Sequence, residues 1–498
     1  MNKNDDKEFS KEKFKKLFGI IYIVLFFAIC FTPLALWGFC RSDEQIGNKE
    51  AKELPMVKNQ DGSINTKYFS EFEDYFTDHL PLRSALISAD SYIKSGLFGG
   101  NTANVVCGNN GYIFSDETIN DYVGKTFSER KINNIARTLR IMEDKVEAGG
   151  NKFVFAAAPN KNSIYPQYMP SRYTKGAENN LSLLTKRLDA LDVNYADLKS
   201  VLSSVDSELY LKRDTHWNNL GALYAFNTIM NSLEKEHIDY NGIDYSYEKN
   251  WNGDLDKLLY PAVNLTDYQY YFNVNCDNVM FTVPQLGMNN TDTLNELVGD
   301  SEKNDTLIKT KNMKAKGRLL MVRDSFARAM LPFLIDNYKS TTITRSQPFA
   351  MTALEPNSKT DVVYEIAERN LGNIVKSAPV MEASECEAPV ADVIDNSGEN
   401  IIKIDKTASY IKIYGVLDEK YFDEDSRIFI TLKSDKYNKS YEAFPICETE
   451  LLELDKESDY GFSLLISGDI PNDNYEISAT VSGVKNMGTG TLKNIQLG

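Results

Sequence analysis

From Leu17 to Cys40 the chain carries no charged residue, a run that reaches roughly 36 Å at helical rise and so exceeds the ~30 Å hydrocarbon core of a bilayer. Lys11, Lys13, Lys15 and Lys16 precede it, and Arg41, Asp43 and Glu44 follow. The lysine flank predicts a cytoplasmic N-terminus with everything after the span outside the cell. A cleaved signal peptide has a shorter apolar core ending in a small-x-small site, which Leu36-Trp37-Gly38-Phe39 does not offer. The reading is therefore a cytoplasmic tail over 1–16 and one uncleaved transmembrane helix over 17–40, in a single-pass protein of a cell membrane whose bulk is extracellular. Cys40 follows the bulky Phe39, a poor context for lipidation, and reads as an apolar residue at the membrane end.

Residues 41–66 are polar and include Pro55 and Asp61-Gly62, which predicts a stem lifting the body off the bilayer. A chain of 498 residues is long enough for two or three compact units. Its formal net charge of −16 excludes direct binding to nucleic acid, which needs clustered Lys and Arg to displace counterions. Cys107, Cys276, Cys386 and Cys447 have no spacing that forces a disulfide framework or a CxxC zinc site.

Apolar periodicity then sorts the body. Ile132, Ile135, Leu139, Met142 and Val146 recur at helical spacing between Ser128, a predicted N-cap, and Gly149-Gly150. The continuous apolar run from Phe153 to Ala158 follows, as expected of a strand buried on both faces. The alternation continues with a helix over 181–191, strands near 193–196 and 209–212, and a helix over 220–236. It resumes with a strand over 318–322, a helix over 326–337, and strands near 341–344 and 362–365. This pattern predicts an α/β unit over 67–375, a mostly parallel sheet between helical layers, with an Asn-, Asp- and Tyr-rich insertion over 238–305 that tunes specificity. A linker over 376–393 leads to period-2 runs such as Tyr410–Tyr414 and Ile428–Leu432, which predict a C-terminal all-β sandwich over 394–498.

The chain has three histidines. His216 sits in Arg213-Asp214-Thr215-His216-Trp217-Asn218, at the end of the expected strand over 209–212. In extended backbone, positions two apart face one side, so Asp214 would orient the His216 imidazole and stabilise its cation. Ser325, in Arg323-Asp324-Ser325-Phe326, falls on a strand-to-helix turn, where its hydroxyl is exposed and the helix start supplies unpaired N–H groups for an oxyanion. Either motif alone has a bland reading, an N-cap serine or a structural histidine, whereas the two together form nucleophile, base and orienter. His79 reads as a turn histidine and His237 as a helix-end partner. With histidines this scattered, and with no HExxH, EF-hand or phosphate-loop pattern, no metal or cofactor is assigned.

Asp214-Thr215-His216-Trp217-Asn218 followed by Asp324-Ser325-Phe326 resembles the SGNH-like domain of the alginate O-acetyltransferase proteins and the related DHHW family. So do Ala158-Pro159-Asn160-Lys161-Asn162-Ser163-Ile164-Tyr165-Pro166, Phe72-x-x-Tyr75-Phe76-x-Asp78-His79-x-Pro81-x-Arg83, and the stretch from Asp361 to Arg369. Two departures stand out: Arg323 replaces the glycine of Gly-Asp-Ser, and Thr215 replaces the first histidine of Asp-His-His-Trp. The resemblance implies an SGNH-hydrolase-like three-layer sandwich with Ser325 as nucleophile, His216 as base and Asp214 as orienter. It also implies a polysaccharide acceptor, a multispanning membrane O-acyltransferase as acetyl donor, and a β-rich carbohydrate-binding module, for which Tyr410, Tyr414, Tyr421 and Tyr437 are candidate sugar-stacking residues. The expected activity is extracytoplasmic O-acetyl transfer to polysaccharide. The alternatives are a deacetylase or acetylesterase of the same fold, and a noncatalytic glycan-binding surface protein.

Overall fold

The computed structural model describes residues 3–37, 51–59, 61–97, 104–276, 279–282, 306–346, 348–350, 357–447, 456–483 and 485–497, with single residues at 39, 102, 354 and 452. Cys40, residues 41–50 of the expected stem and 283–305 of the expected insertion lie outside them. Lys3–Trp37 is one continuous α-helix, so most of the expected tail prolongs the apolar run instead of preceding it. Its Lys15–Trp37 portion, which contains an 18-residue window with a mean hydropathy of 2.5, is long and apolar enough to cross a membrane.

Eleven strands precede the C-terminal sandwich among the described residues. A small ribbon pairs β1 (Val105–Cys107) with β2 (Ile113–Ser115). The central sheet is built from β3 (Lys152–Ala158) and β4 (Tyr195–Ala196), then β7 (Val279–Thr282), β8 (Leu307–Asn312), β9 (Arg318–Val322), β10 (Ser340–Thr344) and β11 (Thr360–Ala367). Between them, β5 (Tyr245–Trp251) and β6 (Asp267–Phe272) form a separate antiparallel hairpin. The sheet order is β4-β3-β11-β9-β10-β8-β7. The first five of these run parallel, and β8 and β7 are added antiparallel at one edge.

Side-chain alternation divides each central strand between two cores. Val154, Ala156, Ala158, Leu319, Met321 and Val363 face the layer containing the helices Asn219–Ser232 and Leu331–Asn337. Phe153, Phe155, Leu320, Val322, Val362 and Tyr364 face Glu129–Ala148 and Asn180–Ala190. This is the three-layer α/β architecture expected from the alternating text. Ser128 caps its helix as expected, its Oγ accepting from Lys131 N–H at 3.0 Å.

The C-terminal strands form two sheets around Ile411, Ile413, Ile430, Leu432, Leu464 and Ile477. Of the tyrosines considered for sugar stacking, Tyr414 and Tyr421 are buried, and Tyr437 is bonded to the Tyr441 hydroxyl at 2.6 Å. Tyr410 alone of the four is well exposed, so they form no binding face. The sandwich also shares buried contacts with the α/β unit. Phe444 and Cys447 join the core beneath Glu129–Ala148. Arg130 donates to the carbonyls of Ser426 at 2.7 Å and Asp423 at 3.0 Å. Arg137, from the helix, and Arg427, from the sandwich, both grip the carboxylate of Glu442.

Burial opposes the charged form of Glu442, but the hydrogen bonds from Arg427 and Arg137 outweigh it and hold the pKa below 4.5. The stability this carboxylate contributes is therefore fully present above pH 4.5 and is lost as pH falls through the lower folded value. Glu442→Gln is expected to cost about 2 kcal/mol at neutral pH, a buried-pair loss discounted for the partly exposed arginines. The difference should shrink as pH falls below 4.5. Denaturant melts at pH 7 and pH 3 check this, and an equal stability gap at both pH values would exclude the ionic origin.

Candidate active site

The chain leaves β9 for β10 on one side and returns to β11 on the other. The carboxyl end of β9 is thus the switch point where a crevice opens in an α/β sheet. Ser325 stands there, between β9 and a 3-10 turn over Phe326–Met330. Asp324 fixes this corner. Its Oδ1 accepts from Phe326 N–H at 2.9 Å and its Oδ2 from Ala367 N–H at 2.6 Å, while its own N–H donates to Glu365 Oε2 at 3.1 Å. Burial, with Asp324 beside it, pushes the Glu365 carboxyl well above the usual carboxylate range. The N–H at the first position of the turn is therefore engaged by Asp324, contrary to the expectation of an unpaired donor there.

Residues 209–212 are not a ladder strand. They form one isolated bridge, Tyr210 with Trp217, closing a tight loop. Asp214 and His216 meet through a side-chain turn instead of through strand pleating, because Asp214 Oδ1 accepts from the His216 backbone N–H at 2.9 Å. The buried Lys161 ammonium holds this loop from beneath, donating to the carbonyls of Leu211, Lys212 and Asp214. Burial brings its pKa down to about 8. Trp217 ties the loop to the serine corner: its indole N–H donates to Phe326 O at 2.9 Å, and its ring meets Phe326 edge-on.

All three residues singled out from the sequence converge. His216 Nε2 lies 2.7 Å from Ser325 Oγ, and His216 Nδ1 lies 2.7 Å from Asp214 Oδ1. The tautomer that satisfies both contacts carries its proton on Nδ1 and accepts from the serine hydroxyl at Nε2. Burial disfavours the charged imidazole, yet the Asp214 carboxylate and its hydrogen bond outweigh that and raise the His216 pKa. For Asp214, burial also opposes charge, but His216 and further donors hold its pKa well below the usual range. This arrangement can take a proton from a serine hydroxyl and keep the resulting imidazolium paired. His79 and His237 lie elsewhere, bonded to the carbonyls of Tyr75 and Lys235.

Several contributors escaped the sequence reading. Trp251, at the end of β5, donates its indole N–H to Asp214 Oδ2 at 3.0 Å, and Asp254 N–H donates to the same oxygen at 3.1 Å. Gly253 permits this approach, since a Cβ there would stand 2.2 Å from the Arg213 carbonyl oxygen. Asp254 in turn accepts from Thr215 N–H at 2.8 Å and from the Thr215 hydroxyl at 2.6 Å. The one available signal was Trp251 itself, a rare residue two positions before Gly253. Asp214, His216 and Asp254 also bring ligand atoms within 4.8 Å of one another. Asp214 already accepts four N–H donors, however, which uses its lone-pair directions, so the cluster is better described as a hydrogen-bond network than as a cation cage.

Residues 105–308 match the family model for the SGNH hydrolase-like domain of the acetyltransferase AlgX. Residues 105–308 of the α/β unit are similar to an SGNH hydrolase-like domain. That match includes Asp214 and His216 and ends before Ser325. A probable alginate O-acetylase, AlgJ of Pseudomonas putida, is 20% identical over 209 residues, 41% of this chain and 50% of the relative. The chain spans about half the length of the curated relatives it matches, or less. Among solved structures, Bacillus cereus PatB1 aligns with a TM-score of 0.44 and 20% identity over 54% of this chain and 96% of that one. A DHHW family protein from Eubacterium siraeum aligns with 0.41 and 16% over 54% and 93%.

With only three histidines in the chain, carbon-13 histidine labelling resolves them individually by NMR. The His216 imidazole is expected to titrate above 6.5, and Asp214→Asn should move it downward because the raising charge is removed. An unmoved midpoint in that variant would show that Asp214 does not set the His216 charge.

Proposed function

We propose that this SGNH-like protein is an extracytoplasmic serine O-acetyltransferase acting on a cell-surface or exported polysaccharide. The observation that carries the reading is the continuous chain of contacts from Asp214 through His216 to Ser325. In the reaction, Ser325 Oγ attacks the acyl carbon of a donor as its proton passes to His216 Nε2. The imidazolium, paired with Asp214, then protonates the leaving group. A sugar hydroxyl next attacks the acyl-serine and gives its proton to His216, which returns a proton to Ser325 Oγ as that oxygen is expelled and the acetyl ester leaves. The AlgJ and AlgX resemblance supports acetyl as the group and polysaccharide as the acceptor. It also fits a multispanning membrane O-acyltransferase as donor. The helix ending at Trp37 would hold residues 67–375 as the catalytic domain and 394–498 as an accessory sandwich outside the membrane.

Hydrolysis is the second reading, and one observation favours it: the His216 side chain is 25% exposed, so water can approach the base. Ester turnover by the full-length protein, with and without soluble polysaccharide, separates the two. Acetyl appearing on the glycan marks transfer, and free acetate alone marks an esterase. Ser325→Ala and His216→Ala should each lower turnover by about a thousandfold or more, Asp214→Ala somewhat less, and the Ser325→Ala/His216→Ala pair little beyond either single variant. Wild-type rate in a folded Ser325→Ala protein would exclude the acyl-serine path. Protease added to intact cells should digest the body after residue 67 while sparing a cytoplasmic control. Protection of both would reverse the orientation.

A further inference from the structure

The β5–β6 hairpin carries tyrosine rings outside the packed cores, and among its aromatics Phe272 reaches the core, meeting Phe333. In its register Tyr245 pairs with Phe272, Tyr247 with Tyr270 and Lys249 with Tyr268, which puts these side chains on one face. Their rings form a ladder. Tyr247 stacks on Tyr268 with centroids 4.9 Å apart and planes 15° from parallel, and Tyr270 lies 4.6 Å from Tyr247 and 5.3 Å from Tyr245. The array is ordered yet wet: Tyr245 is 57% exposed, and Tyr247 and Tyr268 are each 47% exposed. From the opposite face, the buried Gln269 anchors the hairpin, its Oε1 accepting from Asn219 N–H at 2.8 Å.

The same strand leads to the candidate active site. β5 ends at Trp251, whose indole is bonded to Asp214, and at strand rise Tyr247 is about 13 Å further out. We propose that this tyrosine ladder is the platform on which a neutral polysaccharide acceptor lies as it enters the Ser325 site. The inference rests on the acyl-transfer reading above and names how the acceptor is held. A phenol offers an apolar face to the C–H face of a pyranose and a hydroxyl to the sugar hydroxyls, whereas a protein-binding patch is a dry aliphatic and aromatic core with a polar rim. Charge fits an uncharged glycan. Glu208 and Asp267 act on the Tyr247 phenol, and Lys212, paired with Glu208, and Lys249, over the Tyr268 ring, balance them, while Glu248 lies on the opposite face with Ser246 and Asn250. The platform therefore carries no excess of positive charge to draw a polyuronate, and an uncharged chain needs none.

The test is affinity electrophoresis of the full-length protein in detergent through gels containing hydroxyethylcellulose, a galactomannan or alginate. It uses the Ser325→Ala background, so that binding is read without turnover. At least one neutral polymer should retard the protein more than alginate does. Tyr247→Ala and Tyr268→Ala should each weaken retardation roughly fivefold to tenfold, the loss of one ring contact. Tyr247→Leu, which keeps apolar bulk without the ring, should behave like Tyr247→Ala, and Tyr410→Ala on the sandwich should bind as the parent does. Circular dichroism confirms that each variant is folded. Retardation by alginate alone, by no polymer, or unaltered by the hairpin substitutions overturns the proposal. Failure of the serine mechanism shows instead in the Ser325→Ala turnover and leaves these binding measurements unchanged.

Discussion

The arrangement around Ser325 depends on one buried anion. Asp214 is almost fully removed from water, and an isolated carboxylate in that position would be neutralised by a raised pKa. It stays charged because four N–H groups replace its lost hydration. Two come from His216, the backbone amide and Nδ1, one from the Trp251 indole and one from the Asp254 amide. Two separate stretches of chain, 214–216 and 251–254, therefore have to arrive together before the carboxylate is tolerable. Removing any one donor leaves a charge-assisted bond unmade in a low-dielectric setting, where that costs more than at a surface. The residues 245–254, remote in sequence from His216, are in this sense part of its machinery.

The sheet solves the complementary problem of bringing serine to histidine. Ser325 is carried by the central strand β9 and locked through Asp324 to the end of β11, whereas His216 rides on a loop with no ladder of its own. That loop is stiffened by groups from elsewhere in the fold. Lys161, just past β3, supplies three hydrogen bonds to its carbonyls, and the Trp217 indole reaches the Phe326 carbonyl. Both anchors are held by parallel strands of one sheet, so the 2.7 Å contact between Nε2 and Oγ is referenced to a rigid frame, as preorganised chemistry requires. On the far side of that frame, Glu129–Ala148 is clasped by the sandwich through Arg130, Arg137 and Glu442.

Which features were legible in the sequence follows from what kind of signal each one leaves. Apolar periodicity marked the helix after Ser128 and the strands β3, β9 and β11, since each faces a core on a regular repeat. Asp214, His216 and Ser325, which the structure brings into contact, could be singled out because few residue types can act as nucleophile and base and Ser325 follows the strand pattern of β9. The strand expected over 209–212 was read from Leu209, Tyr210 and Leu211, which are indeed buried, but within a loop. Local pattern cannot tell a buried loop from a buried strand. β5 was missed for the opposite reason: Tyr-Ser-Tyr-Glu-Lys-Asn-Trp is exposed almost throughout and leaves no hydrophobic alternation to detect. The sandwich tyrosines looked like a sugar-binding set because spacing does not reveal which face of a strand meets the opposing sheet.

In the proposed mechanism, transfer and hydrolysis share every step up to the acyl-serine, so the fold would favour one by controlling what arrives second. His216 is open enough for water, and nothing in the chemistry of Ser325 itself discriminates between water and a sugar hydroxyl. In that mechanism the discrimination would come from holding the acceptor. A hydroxyl fixed beside the acyl group acts at an effective concentration far above that of a freely diffusing one, and this advantage reaches about 10⁵ M or more in well-oriented systems. A platform that begins at Trp251 and runs outward along β5 would supply that fixation from many weak ring contacts, none of which touches the reacting atoms. On this view an unoccupied hairpin leaves the acyl-serine to water, and an occupied one diverts it to sugar. The same residues that solvate Asp214 at one end of β5 would then set, at the other, which nucleophile the imidazole serves.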